Sequence, residues 1–348
     1  MNILVLNGSP KGEGSNSLKI TTAFLDGLNS IKEHNIEIIN ISKKNIDHCH
    51  GCFVCWTKTP GKCIIKDDMA ELIEKYIKAD LIVWSFPLYY FGMPSKIKAF
   101  LDRLLPTNLP YIITKEDGAN RHAPRYDLSH QRHVLISTCG FYDTNNNYDA
   151  LIRQFEIMFD DKLTKILCAE GELFKVPELN GRTSQYLSLA KKAGEEFGKQ
   201  GSFSEHTKKR LSELLYPASE FVKMANASWD ISDPSADYKV QDKSHKFIKQ
   251  MSATYNPQSY INDVVIEMNF IDIDKTYQLC LGKEECSVKT HDFTPYNTKI
   301  ETTFELWLQL SEGKVNGPEA MMQGKYKVLG DFSTMMKMSD YFGIKKTV

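Results

Sequence analysis

Over the first two hundred positions, roughly, short apolar runs alternate with stretches of helical period. Strands are predicted at Ile3–Leu6, Ile36–Ile41, Leu81–Phe86, Val134–Thr138 and Lys165–Ala169, and helices at Ser17–Leu28, Asp68–Ala79, Pro94–Leu105, Tyr148–Phe159 and Ser184–Gly198. The clearest helix is DDMAELIEKYIKAD, where acidic residues open the first turn and Met69, Leu72, Ile73 and Tyr76 form one stripe. A strand that returns beside its neighbour through a helix must run parallel to it, so this alternation predicts an α/β, doubly wound, five-stranded parallel sheet. Uninterrupted apolar runs such as LIVWSF fit strands covered on both faces.

The pattern then changes. Residues 203–256 are polar, carry Pro217 and Pro234, and show one amphipathic stretch near Leu211–Met224. They read as a helical connector between a domain at 1–202 and a smaller α+β domain at 257–348. In that last part the period is two. Val264, Ile266, Met268 and Phe270 alternate with other residues, as do Tyr277, Leu279 and Leu281, and then Ile300, Thr302 and Phe304. Such alternation predicts an antiparallel sheet with one buried face. Helices are expected in FELWLQLSEG, after Pro318, and through FSTMMKMSDYF, with a strand at KYKVLGD between the last two.

Composition narrows the function. Lys plus Arg number 43 and Asp plus Glu 44, a net charge of −1, which gives no basic face for nucleic acid. No apolar run reaches the length of a membrane span, and MNILVLNGSP reads as a first strand, so a cytoplasmic location is expected. Four of the eight cysteines, Cys49, Cys52, Cys55 and Cys63, are crowded together, a pattern that in a reducing compartment suits metal or redox chemistry.

Between the first strand and the first helix lies NGSPKGEGSNS. A helix N-terminus presents unpaired N–H groups and partial positive charge. Gly8, Gly12 and Gly14 let the chain curl around an oxyanion, while Ser9, Lys11, Ser15, Asn16 and Ser17 add donors and charge. The triphosphate-loop and dinucleotide glycine spacings are both absent, which favours a single terminal phosphate over either ligand. A flexible turn capped by Ser15 or Ser17 is the alternative. The cysteine spacing, C-x2-C-x2-C-x7-C, is compact enough to grip an iron–sulfur cluster with one more distant ligand, and it lacks the paired C-x2-C arrangement usual for zinc.

Taken together, GSPKGEGSNS, CHGCFVCWTKTPGKCIIKDDM and PLYYFGMPSKIKAFLDRL resemble the NADPH-dependent FMN reductase family, and within it the flavodoxin-like iron–sulfur flavoproteins. The resemblance implies FMN, its phosphate held by Ser9, Lys11, Ser15, Asn16 and Ser17, and a 4Fe–4S cluster on the four cysteines. Ligands of such sheets sit outside the carboxyl ends of the strands. That puts Pro87, Leu88, Tyr89, Tyr90, Phe91 and Gly92 after the third strand, and Thr138 and Gly140 at the end of the fourth, beside the isoalloxazine ring. Packing of Tyr89 and Phe91 beneath the sheet is the alternative, and the other two loops favour flavin contact. A reactive dithiol, or thiols that only shape the pocket, remain alternatives to the cluster. His48 and His50 read as solvent-facing loop residues.

The activity so implied is hydride transfer from NAD(P)H to flavin and electron release to an unidentified acceptor (quinone, flavin, iron or protein), with no side chain needed as catalytic acid or base. An electron carrier between protein partners is the alternative. From FELW to SDYF the chain resembles sterol carrier protein domains, which implies an α+β sandwich with room for a lipid-like ligand; a lipid-binding protein with a redox-sensing head is then a third possibility. Met321, Met322, Met335, Met336 and Met338 would suit either an adaptable apolar pocket or plain core. Family resemblance also implies a homo-oligomer.

Overall fold

A computed structural model describes residues 1–115, 118–227 and 243–342; Pro234 in the predicted connector and the final residues of the predicted C-terminal domain lie outside them. The chain divides into two compact units, one of residues 1–172 and 184–215, the other of 173–183 and 216–348, so positions 203–256 are shared between them.

In the first unit the strands are β1 (Asn2–Asn7), β2 (Asn35–Asn40), β3 (Leu81–Pro87), a hairpin of β4 (Asn108–Thr114) and β5 (Asn120–Pro124), β6 (Arg132–Thr138) and β7 (Leu163–Cys168). Five of them form one parallel sheet in the order β2-β1-β3-β6-β7. This is the flavodoxin-like order, in which the winding reverses beside β1. All five sequence-predicted strands are present within two residues of their expected ends, and the five predicted helices appear as Asn16–Ile31, Met69–Lys78, Ser95–Asp102, Asp149–Phe159 and Asn180–Gln200. The β4–β5 hairpin was not anticipated from the sequence.

The centre of the sheet is buried on both sides, as LIVWSF suggested: every residue of that run is buried, whereas edge strand β2 is largely exposed. Trp84 is wholly enclosed and packs edge-on against Phe100 and Phe155. Its indole N–H donates to His133 Nδ1 at 3.3 Å, and the imidazole stacks on Phe159 at a centroid distance of 3.7 Å. Helices Asn16–Ile31 and Asn180–Gln200 meet at glycines. A Cβ on Gly27 would stand 1.8 Å from Lys191 O, and one on Gly194 would stand 1.9 Å from Phe24 O.

The predicted single helix near Leu211–Met224 is instead two, Glu205–Leu211 and Ala218–Ala227, with a further helix at Lys243–Ala253. Pro217 explains the break, because it holds the preceding residue away from helical geometry.

The second unit contains β8 (Val264–Phe270), β9 (Lys275–Leu281), β10 (Cys286–Lys289), β11 (Thr298–Thr302) and β12 (Lys327–Gly330) in the order β10-β9-β8-β11-β12. Ile266, Met268, Phe270, Leu279, Leu281 and Ile300 are buried, as alternation required. The expectation of a purely antiparallel sheet is corrected at one place: β11 runs parallel to β8. Two-residue periodicity is identical for both directions, so it could not report this. The last predicted helix is two short ones, Phe332–Met336 and Met338–Phe342. Met321, Met335 and Met338 pack against the core, whereas Met322 and Met336 are 89% and 69% exposed. Among the described residues no helix is long and apolar enough to cross a membrane.

Two predictions follow from this packing. Gly194→Ala must push the two helices apart, and overpacking of this kind costs about 1–3 kcal/mol, which urea unfolding of the N-terminal unit would read. Burial pushes the His133 imidazole down to about 3, with Lys162 adding to the effect. The unfolded chain therefore binds a proton below the ordinary histidine value while the folded chain does not, and stability falls as pH falls from about 6.5 toward 3. Between pH 6.5 and 5, wild-type protein should lose about 1.6 kcal/mol more than His133→Gln in urea titrations at the two values.

Candidate functional site

The bend after β1 is pinned by Asn7, a fully buried polar residue at the strand's end. Its amide donates to Asn40 Oδ1 at 2.6 Å and to Gly12 O at 3.0 Å, while its oxygen accepts from Ser9 N at 3.2 Å. Gly12 takes φ +55°, the left-handed turn that glycine adopts without a Cβ clash. Ser15 caps the following helix by accepting from Leu18 N at 3.3 Å. The next two N–H groups, on Asn16 and Ser17, have no hydrogen-bond partner among the described residues. Asn16 Oδ1 is buried and likewise without one. Ser9, Ser15, Asn16 and Ser17 are all buried, and Lys11 reaches Glu172 at 3.3 Å across the surface.

Three further loops meet this bend. Ser17 Oγ shares a 2.8 Å hydrogen bond with Thr138 Oγ1 at the end of β6, and Asn16 Nδ2 donates to Gly171 O at 2.7 Å beyond β7. Leu88 N donates to Thr138 O at 2.8 Å, bringing in the loop after β3. There Tyr89 and Gly92 exchange two hydrogen bonds, 2.9 and 3.0 Å, around Tyr90 at φ +48° and Phe91 at φ +63°. Two consecutive left-handed non-glycine residues are strained at roughly 1–2 kcal/mol each. The Gly92 N–H, a sequence-based candidate for bonding a flavin edge, is used inside this turn.

Tyr89, Tyr90 and Phe91 do not pack beneath the sheet; all three are exposed, Tyr90 completely. Phe91 stacks on Phe141, at 5.8 Å and 10°, so the loops after β3 and β6 touch. Pro87 is half-buried, Leu88 and Thr138 are buried, and Gly140 lies on the open side.

Cys49, Cys52, Cys55 and Cys63 are free thiols, and all four line one cavity together with His50, Phe53, Arg103 and Pro106. Burial pushes the Cys55 thiol up, and the nearness of Cys63, Cys49 and Cys52 adds to it. The loop is shaped by Gly51 and Phe53 in left-handed conformations. Trp56 takes no part in the lining. Its indole N–H donates to Asn108 O at 2.9 Å and Leu105 O at 3.2 Å, and its ring packs on Phe53 and His122. The bulky residue in the cysteine run is therefore an anchor for the loop.

Two residues that sequence reasoning missed hold this region. Arg103 and Asp67, 1% and 3% exposed, form a bidentate pair at 2.8 and 2.9 Å. Arg103 Nη1 also donates to Asp47 O at 2.9 Å, and Asp67 Oδ2 accepts from Asp47 N at 2.9 Å, which fixes the strand of chain leading into Cys49. Burial works to raise the Asp67 carboxyl, but Arg103 and the N–H groups of Asp47 and Met69 outweigh it and hold it below the usual range. A charged residue inside the apolar run FLDRLL was the available signal. Asp47, His48 and His50 form an exposed group beside the cavity, with ligand atoms all within 4.8 Å of one another.

Comparison with known proteins agrees with both units. Residues 1–161 match the family described as having the flavodoxin-like fold, and residues 245–343 match the SCP-2 sterol transfer family. An iron–sulfur flavoprotein of Methanocaldococcus jannaschii is 33% identical over 34% of this chain and 59% of its own length. One of Archaeoglobus fulgidus is 36% identical over 28% of this chain and 43% of its own length. The chain thus spans about half the length of these relatives. An FMN-dependent NADH:quinone oxidoreductase of Pseudomonas fluorescens is 26% identical over 49% of this chain and 87% of its own length. The chain therefore joins a flavodoxin-like unit at residues 1–161 to an SCP-2-type domain at residues 245–343.

Proposed function

We propose that the chain is an FMN-dependent oxidoreductase that takes hydride from NAD(P)H and passes electrons to a quinone, flavin, iron or protein acceptor. The observation that carries this reading is the convergence of four loops at the carboxyl ends of β1, β3, β6 and β7 around two unbonded helix N–H groups. Their chemistry fits a phosphate ester bearing hydroxyls. Asn16 N, Ser17 N and the hydroxyls of Ser9 and Ser15 would hold the phosphate, with Lys11 supplying charge nearby. The buried acceptor Asn16 Oδ1 suits a ligand hydroxyl. The exposed turn at Tyr89–Gly92 and the face around Phe141 and Gly140 would border the ring. When bound, FMN supplies the redox chemistry itself, so the protein's part is to orient the ring and limit access of water. The FMN-dependent relative supports the reading.

The test separates binding from folding. Ser15→Asp keeps a good helix cap but puts a negative charge where the phosphate would sit. FMN titration of the apoprotein, followed by flavin fluorescence, should show affinity falling at least about tenfold, or 1.4 kcal/mol, with the unfolding midpoint unchanged. An unaltered affinity would remove the phosphate from this bend.

A second reading is favoured by one observation, the four thiols lining one cavity. Among the described residues no three cysteine sulfurs lie within 4.8 Å of one another. A single tetrahedral zinc, at roughly 2.3 Å to each sulfur, needs them closer than that. A cubane cluster spreads its ligands over four separate irons and does not need the sulfurs that close. On this second reading Cys49, Cys52, Cys55 and Cys63 are the ligands of a 4Fe–4S cluster. Protein purified without oxygen should carry about four irons and four labile sulfides per chain, and Cys55→Ala should lose them; flavin present without iron would reject this second reading alone.

For the C-terminal unit, the SCP-2-type match supports a lipid-like apolar ligand, checked by native mass spectrometry of the purified chain for co-purified acyl species.

A further inference from the structure

The cysteine cavity has a buried charge built into its wall. Arg103 lines it at 1% exposure. Nη1 and Nη2 are engaged by Asp67 and by Asp47 O, but Nε is buried with no hydrogen-bond partner among the described residues. Natural proteins rarely leave such a donor idle, so an orphaned guanidinium N–H at a cavity wall signals an occupant with acceptor character. Other polar groups of the lining are of a different kind. Asp102 is exposed and held by Lys98 at 2.7 and 2.8 Å, and His50 stands at the exposed rim. Cys63 lines the same cavity as Arg103.

We propose that Arg103 is the charge-compensating residue of the cysteine cavity, its buried guanidinium favouring the more negative, one-electron-reduced state of a cluster on Cys49, Cys52, Cys55 and Cys63. The inference rests on the cluster reading above and says what sets the redox balance there. Four thiolates around an iron–sulfur core carry net negative charge, and each added electron deepens it. A cation held in a low-dielectric wall is screened far less than one at the surface, so it stabilises the reduced form more than the oxidised form. Asp67 has the opposite effect, since its carboxylate offsets part of the same charge. The pair is then a setting of two opposed charges, fixed in position by Asp47.

Opposed charges give opposed shifts, and that distinguishes tuning from damage. Anaerobic protein titrated with dithionite, with the reduced cluster followed by low-temperature electron paramagnetic resonance, gives the reduced-to-oxidised ratio at each poise. At a fixed poise Asp67→Asn should raise that ratio about tenfold over wild type, equivalent to 59 mV for one electron. Adding Arg103→Gln to Asp67→Asn should lower it again by about the same factor, while Arg103→Lys, which keeps the charge, should stay near wild type. The proposal is overturned if the two changes at Asp67 and Arg103 move the ratio the same way, or if neither moves it. Loss of the cluster from Asp67→Asn, which retains the cation, gives the pair a purely structural role and also overturns it. Wild-type protein without iron ends both this inference and the cluster reading, whereas full iron with unmoved ratios ends this one only.

Discussion

The first unit is organised by one constraint: its central parallel strands, β1, β3 and β6, are buried on both faces and leave little room for polar chemistry except at their ends. β3 and β6 are enclosed from Leu81 to Phe86 and from His133 to Thr138. Hydrogen-bonding side chains therefore accumulate where the strands stop, at Asn7, Ser85 and Thr138. Because the strands are parallel, those ends lie on one edge, and loops that are distant in sequence are forced to share it. The contact of Ser17 with Thr138 spans more than a hundred positions for this reason. The bend after β1 is rigid through backbone pinning by Asn7 and Ser15, which leaves the N–H groups of Asn16 and Ser17 unspent.

Much of this was legible in the amino-acid order. Parallel strands covered on both faces need unbroken apolar runs, and the runs at Ile3 and Leu81 are of that kind. Loop composition identified the bend, and tight spacing identified the cysteines, because both signals are local. What stayed hidden was non-local or directional. Arg103 and Asp67 are separated by 36 positions, and nothing in either neighbourhood names the other as partner. The parallel pairing of β11 with β8 is invisible to a two-residue period. The consumption of the Gly92 N–H by Tyr89 depends on a turn built from two left-handed residues that are not glycine, a choice local propensity argues against.

Trp56 illustrates how a residue that looks out of place in sequence is explained by where its polar atom goes. An indole beside closely spaced thiols is bulky for a cluster loop, yet it turns away from the cavity and spends its N–H on the backbone at Leu105 and Asn108. That bond ties the short helix Val54–Thr57 to the segment that follows Arg103. Phe53 and His122 cover the ring's faces, and His122 belongs to the β4–β5 hairpin. The hairpin missing from the sequence reading is thus what the tryptophan packs against.

Stability and function meet at the buried pair. Replacing either partner alone would strand the other charge in an apolar wall, which typically costs 3–5 kcal/mol, whereas a well-packed neutral pair is often no worse than the ion pair it replaces. Stability alone therefore gives little reason for Arg103 and Asp67 to be ionic. Their position supplies the missing reason. The pair clamps the chain at Asp47, two residues before Cys49, and the guanidinium keeps one N–H unspent at the wall of the thiol cavity. A neutral substitute could fill the same volume and hold the same helix, but it could not place a fixed positive charge beside Cys63.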